Sequence, residues 1–131
     1  MKKFLPLVLI SLLALTGCAA PQASASSYRQ ITMEEAIAIM ADETGYIILD
    51  VRTEAEYQSG HIPGAMLLPN ETIGSEEIPS LPNKDQMILV YCRSGNRSKQ
   101  ASDKLVALGY TNVVEFGGII DWPGETRSGP E

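Results

Sequence analysis

The chain predicts an α/β domain in which a parallel sheet is sandwiched between helix layers. Three observations carry that prediction. Tyr46-Ile47-Ile48-Leu49 and Met87-Ile88-Leu89-Val90-Tyr91 are apolar at successive positions, as strands covered on both faces are. Segments with helical spacing alternate with these and with two shorter strand candidates. Glycines and prolines punctuate the boundaries. The chain has 131 residues and shows no internal repeat, a length that suits one domain.

Thr32-Met33-Glu34-Glu35 predicts a capping box, with Thr32 as N-cap and Glu35 reaching back. Ala36, Ile37, Met40 and Ala41 then supply the apolar face of a helix over 33–43. After Gly45 comes the strand Tyr46–Leu49, followed by a short helix over 53–59. Met66-Leu67-Leu68 is a second short strand, ended by Pro69. Residues 70–82, interrupted by Pro79 and Pro82, read as an irregular connection with one helical turn. The run Met87–Tyr91 leads straight into Cys92. From Arg97 onward, Ala101, Leu105 and Leu108 mark a helix face, which Gly109 closes. Val113-Val114-Glu115-Phe116 is a further strand, expected to break at Gly117-Gly118 before a turn at Asp121-Trp122.

The first residues have a different character. Met1-Lys2-Lys3 is a short basic stretch, and Phe4–Thr16 is apolar but too short to span a bilayer comfortably. Residues 1–17 therefore read as a secretion signal. Leu15-Thr16-Gly17-Cys18 resembles the lipobox of bacterial lipoproteins, which implies cleavage before Cys18 and acylation of that residue. Several acyl chains then hold the protein to a membrane, each buried CH₂ contributing ~0.8 kcal/mol. Residues 18–27 form the lipidated N-terminus and a tether of small polar residues, and 28–131 form the domain. The expected location is extracytoplasmic, on a bacterial membrane.

Loss of Lys2 and Lys3 takes the net charge from −6 to −8. So acidic a domain is a poor partner for nucleic acid or an anionic membrane surface. With Cys18 lipidated, Cys92 has no intramolecular disulfide partner. It is either buried and inert or kept for its reactivity.

Its neighbours argue for reactivity. Cys92 ends a central strand just before a helix, where open α/β sheets bind ligands. The loop Arg93-Ser94-Gly95-Asn96 is small and turn-competent, so its N–H groups can converge into a nest for an anion. The same field favours a thiolate. Arg93, Arg97, Lys99 and Lys104 face one acid, Asp103, across residues 92–104, a local reversal of sign in an acidic chain.

Residues 49–66, LDVRTEAEYQSGHIPGAM, and the loop CRSGNRS resemble the single-domain rhodaneses, sulfurtransferases with a Cys-x-x-Gly-x-Arg loop. The segment Gly117–Trp122 resembles their closing stretch, whereas Pro123–Glu131 is shorter and more polar than many members carry. The resemblance covers 28–124 and implies a five-stranded parallel sheet flanked by helices on both faces. It also implies a two-step transfer without metal or organic cofactor. Cys92 takes the outer sulfur of a small anionic donor such as thiosulfate, and a thiol or cyanide then removes it. The N–H groups of Arg93, Ser94, Gly95, Asn96, Arg97 and Ser98 would hold the persulfide, Arg97 would brace the loop, and Arg93 would offer charge to the donor. Asp50 and Arg52 are expected to pair in support of the loop. His61, in a Gly-His-Ile-Pro-Gly turn, and Trp122 read as architectural. Phosphatases of related fold have five residues between cysteine and arginine; four here favour sulfur. A non-catalytic sulfur carrier or protein-binding module serving one protein partner is the alternative, ahead of a cysteine-dependent phosphatase. A thiol redox role would need a second cysteine near Cys92. A monomer is expected.

Overall fold

The computed structural model describes residues 27–130. The leader and Cys18 lie outside them. Five strands form one sheet, all parallel: β1 (Arg29–Gln30), β2 (Ile47–Asp50), β3 (Met66–Leu67), β4 (Ile88–Cys92) and β5 (Val113–Gly118), in the order β1-β5-β4-β2-β3. The helices are α1 (Met33–Asp42), α2 (Glu54–Ser59) and α3 (Asn96–Ala107).

Alternation along β4 divides the interior in two. Ile88, Val90 and Cys92 face α3 through Ala101 and Leu105, with Ile73 and Leu81 of the irregular connection completing that side. Leu89 and Tyr91 face the opposite way, toward Ala36 of α1 and Tyr57 of α2. The expected helix–sheet–helix sandwich is therefore what forms. Every residue of β4 is buried, which is why its sequence lacks polar alternation.

Local chemistry sets the element ends. Thr32 caps α1, its Oγ1 accepting from the Glu35 N–H at 3.1 Å. Glu35 turns to the Thr32 hydroxyl at 3.3 Å, so the bond is side chain to side chain. The full reciprocal box is at α2, where Glu56 Oε1 accepts from the Thr53 N–H and Thr53 Oγ1 from the Glu56 N–H. Gly109, at φ +94°, ends α3 in a Schellman motif: its N–H reaches Val106 O, and the Tyr110 N–H reaches Leu105 O.

Two expectations need correction. The residues themselves suggested four strands, and the missing one is β1, two exposed residues paired only with β5. A strand that short and open has no apolar pattern to read. Nor do Gly117 and Gly118 break β5, which runs through both and pairs Gly118 with Cys92. The register shifts there. Val90 pairs with Glu115 while Cys92 pairs with Gly118, so β5 spends one residue more than β4 over the same interval.

Candidate active site

Because β4 is the middle strand, Cys92 at its carboxyl end opens beside the switch point between β2 and β4. There β2 leads outward to β3, and β4 leads the other way to β5. The chain then passes through Arg93, Ser94 and Gly95 into α3. Gly95 is the N-cap, at φ +110°, a backbone region that suits glycine. That conformation aims its N–H at Cys92 Sγ, 3.0 Å away. Ser98, one turn into α3, sits on the other side of the sulfur with Oγ at 3.4 Å. Cys92 is thus the floor of the loop, 1% exposed, beneath the exposed residues Arg93, Ser94 and Asn96.

Gly118 explains how tightly the loop is seated. A Cβ there would overlap the Arg93 carbonyl, so the cysteine loop lies directly on the end of β5. The Ile120 N–H holds the same carbonyl from the 3₁₀ turn that follows, at 3.3 Å. The paired glycines are a seat for the loop and not a strand terminator.

Arg97 leaves the loop and reaches α2. Its Nη1 and Nη2 meet Glu56 Oε1 and Oε2 at 2.7 and 3.0 Å, a bidentate pair. Glu56 therefore caps α2 and clamps the start of α3 at once. The Arg97 guanidinium, helped by Thr53, holds the Glu56 carboxyl at about 2, well below the usual carboxylate range. Arg97, expected to brace the loop, has its guanidinium on Glu56 and so ties α3 to α2. Lys104 is not part of the loop's positive field, being in the last turn of α3 with Nζ on the Asn70 carbonyl at 2.9 Å. Lys99 is exposed.

Asp50 and Arg52 do pair, buried, with Arg52 Nη2 to Asp50 Oδ2 at 2.7 Å. Their further hydrogen bonds run to β4 and to the turn around His61. Asp50 also accepts from the Tyr91 hydroxyl at 2.6 Å, and Arg52 donates to Gly60 O at 2.7 Å. Tyr91, the residue before Cys92, in turn accepts from the Ile62 N–H. Burial, then the Asp50 charge, push the Tyr91 hydroxyl well above its ordinary value, so it stays a neutral donor.

His61 belongs to that same side. It is fully buried, stacked on Tyr57 at 3.7 Å, with Nδ1 bonded to Tyr57 O and its backbone paired to Arg127. Tyr57 packs on the face opposite Cys92. Trp122 packs against that cluster and donates Nε1–H to Glu125 O. Among the described residues, no cluster of three or more His, Cys, Asp or Glu side chains could hold a metal ion.

Reading the sequence missed two acids. Glu56 carried a signal, the Thr53-x-x-Glu56 spacing, although that spacing announces only a helix start. Glu115 carried an unread one, an acid inside an otherwise apolar strand. It is 2% exposed, and its Oε1 accepts from Ser98 Oγ at 2.7 Å and the Gly117 N–H at 2.8 Å.

The arrangement defines a class: a parallel α/β protein whose central strand ends in a cysteine, with a loop N–H directed at its sulfur and a serine hydroxyl oxygen within reach of it. The characteristic pattern of the rhodanese-like domain matches residues 32–124, and the chain belongs to that family. A sulfurtransferase of Allochromatium vinosum is 43% identical over 86 residues, covering 63% of this chain and 77% of that one. Thiosulfate sulfurtransferase GlpE of Pseudomonas entomophila is 35% identical over 109 residues, 79% of this chain and 96% of its own. Among solved structures, a rhodanese with anions from Escherichia coli matches with a TM-score of 0.59 at 32% identity, over 64% of this chain and 99% of that chain.

Proposed function

We propose that the protein is a thiosulfate sulfurtransferase working through a Cys92 persulfide. The observation that carries this reading is the Gly95 N–H directed at Cys92 Sγ at 3.0 Å, at the amino end of α3. An amide donor and a helix N-terminus favour sulfur as an anion. In the first step the Cys92 thiolate attacks the outer sulfur of thiosulfate, the sulfur–sulfur bond breaks, and sulfite leaves with its electron pair. The product persulfide anion lies among the loop N–H groups. In the second step cyanide attacks the outer sulfur and thiocyanate leaves, or a thiolate attacks and a new persulfide leaves. Either regenerates the Cys92 thiolate.

Arg93, exposed at the loop mouth, supplies charge to the incoming dianion, and the Arg97–Glu56 clamp keeps the loop's helical side in place. Neither step calls for a metal or organic cofactor. Purified protein mixed with thiosulfate and cyanide should form thiocyanate, and Cys92→Ser should form none. Absence of thiocyanate from the parent protein would count against enzymatic turnover and favour a sulfur carrier dedicated to one partner.

The proposal extends to location: an extracytoplasmic domain held to a bacterial membrane through acylated Cys18, with residues 18–27 as tether. Its support is the sequence Leu15-Thr16-Gly17-Cys18 after a short apolar stretch. Cys18→Ala should move the protein out of the membrane fraction with sulfur transfer intact. Continued attachment of that variant would contradict the anchor.

A further inference from the structure

Glu115 is a buried carboxylate whose only ligands in the described structure are neutral. Ser98 Oγ and the Gly117 N–H are on Oε1, and Gln30 Nε2 is 3.4 Å from Oε2. No Lys, Arg or His pairs with it among the described residues. Burying an unpaired charge is costly, and a proton near the carboxylate relieves that cost. The Cys92 thiol carries such a proton, one hydroxyl away from the carboxylate. Ser98 Oγ lies between the two groups, 2.7 Å from Glu115 Oε1 and 3.4 Å from Cys92 Sγ. Glu115 is in regular register with Val90, which shares its sheet face with Cys92, and the β5 irregularity follows it.

We infer that Cys92 and Glu115 share one proton through Ser98, making Glu115 a positioning residue that sets the charge of the nucleophile from within the fold. With the proton on sulfur, the Cys92 S–H donates to Ser98 Oγ and the Ser98 O–H donates to the Glu115 carboxylate. When the thiolate forms, the sulfur proton passes to Ser98 Oγ and the serine proton passes to Glu115. Ser98 then donates to the anionic sulfur, and the neutral Glu115 acid donates to Ser98. No electrons move, and one proton is conserved. When the transferred sulfur leaves Cys92, the reverse movement returns the proton. This inference rests on the sulfur-transfer reading only for its purpose; the shared proton itself can be measured without a sulfur donor.

Other groups act on the pair. Tyr28, just before β1, faces Glu115 and Asp103, and burial followed by those acids raises its hydroxyl above the ordinary value. Arg97, on α3, faces Cys92, Glu56 and Glu71. Arg97 acts on Cys92 in both proteins compared below, whereas the Tyr28–Glu115 interaction goes with the carboxylate.

The test is the rate of Cys92 alkylation by iodoacetamide against pH, in the full chain and in its Glu115→Gln variant. The glutamine keeps an oxygen for Ser98 and Gly117 and removes the titrating carboxylate. Two coupled groups titrate as a pair, so the parent rate should rise in two steps with a plateau between them. The variant should show one step, falling about tenfold per pH unit on its acid side. Its persulfide formation from thiosulfate should take the same shape. Ser98→Ala, which removes the atom between the groups, should slow persulfide formation with Glu115 intact. A single step in the parent, or identical profiles for parent and Glu115→Gln, overturns the inference. A parent that shows two steps but never acquires sulfur from thiosulfate upholds the shared proton and overturns the sulfur-transfer reading instead.

Discussion

Asp50, at the carboxyl end of β2, and Glu115, midway along β5, are both buried acids of one sheet, yet their surroundings are opposite in kind. Asp50 is 0% exposed and has its own cation, Arg52, which meets it through Nε and Nη2, with the Tyr91 hydroxyl completing its shell. Every charge in that group is neutralised locally. The network is tied to Gly60 and Ile62, which hold the turn around His61. Glu115, 2% exposed, has donors but no cation among the described residues, and one donor also touches Cys92. A buried acid matched with a cation is architecture. A buried acid left with neutral donors beside a cysteine is a reservoir for a proton.

That contrast can be broken by substitution. Asp50→Ala leaves Arg52 buried and unpaired, and should cost about 3–5 kcal/mol of stability in urea unfolding. Glu115→Gln keeps both Oε1 hydrogen bonds and should cost within about 1 kcal/mol, while changing the pH profile of Cys92. Equal losses from the two would erase the distinction. Gly118→Ala comes next in size. Its Cβ must displace the Arg93 carbonyl, so about 1–3 kcal/mol of overpacking and a large loss of sulfur transfer are expected together. A stable, fully active Gly118→Ala would show that the loop need not rest on β5.

The clamp should yield a smaller effect on stability and a clear one on rate. Arg97→Lys replaces a planar fork by a point charge. It should fold with sulfur transfer lowered about tenfold, a change of about 1.4 kcal/mol in barrier. Glu56→Gln should reproduce much of that loss, because Glu56 is what Arg97 grips. A Glu56→Gln enzyme as fast as the parent would separate the two residues.

The smallest effect is in acid. Glu56 is lowered on folding from its ordinary 4.5 to about 2, chiefly by the Arg97 hydrogen bond. Its contribution is therefore fully present above the unfolded value and disappears as pH falls from about 4.5 through about 2. The carboxylate is 30% exposed, so solvent screening holds the stabilisation to about 1 kcal/mol. Parent and Glu56→Gln should differ in urea midpoint at neutral pH and converge near pH 2. A constant gap across that range would contradict the assignment.

The architecture was legible where burial writes a pattern. Ile88 to Cys92 is buried throughout, and its unbroken apolar run announced both the central strand and the place of the cysteine. Thr32 and Gly109 announced helix ends because capping is local chemistry. What stayed hidden depends on residues distant in sequence. β1 exists only through its register with Val114 and Glu115. The purpose of Gly118 is set by Arg93, the grip of Arg97 by Glu56 at a separation of 41 residues, and the role of Glu115 by Ser98. A motif gave the residues of the loop, but not the groups that meet them across the sheet end.

The most direct test of the central claim is the intact mass of the purified protein before and after thiosulfate. Cys92 should gain the mass of one sulfur atom, cyanide should remove it as thiocyanate, and Cys92→Ser should remain unchanged through both treatments with its fold intact. A parent mass that never changes with thiosulfate or a persulfide donor would contradict the account.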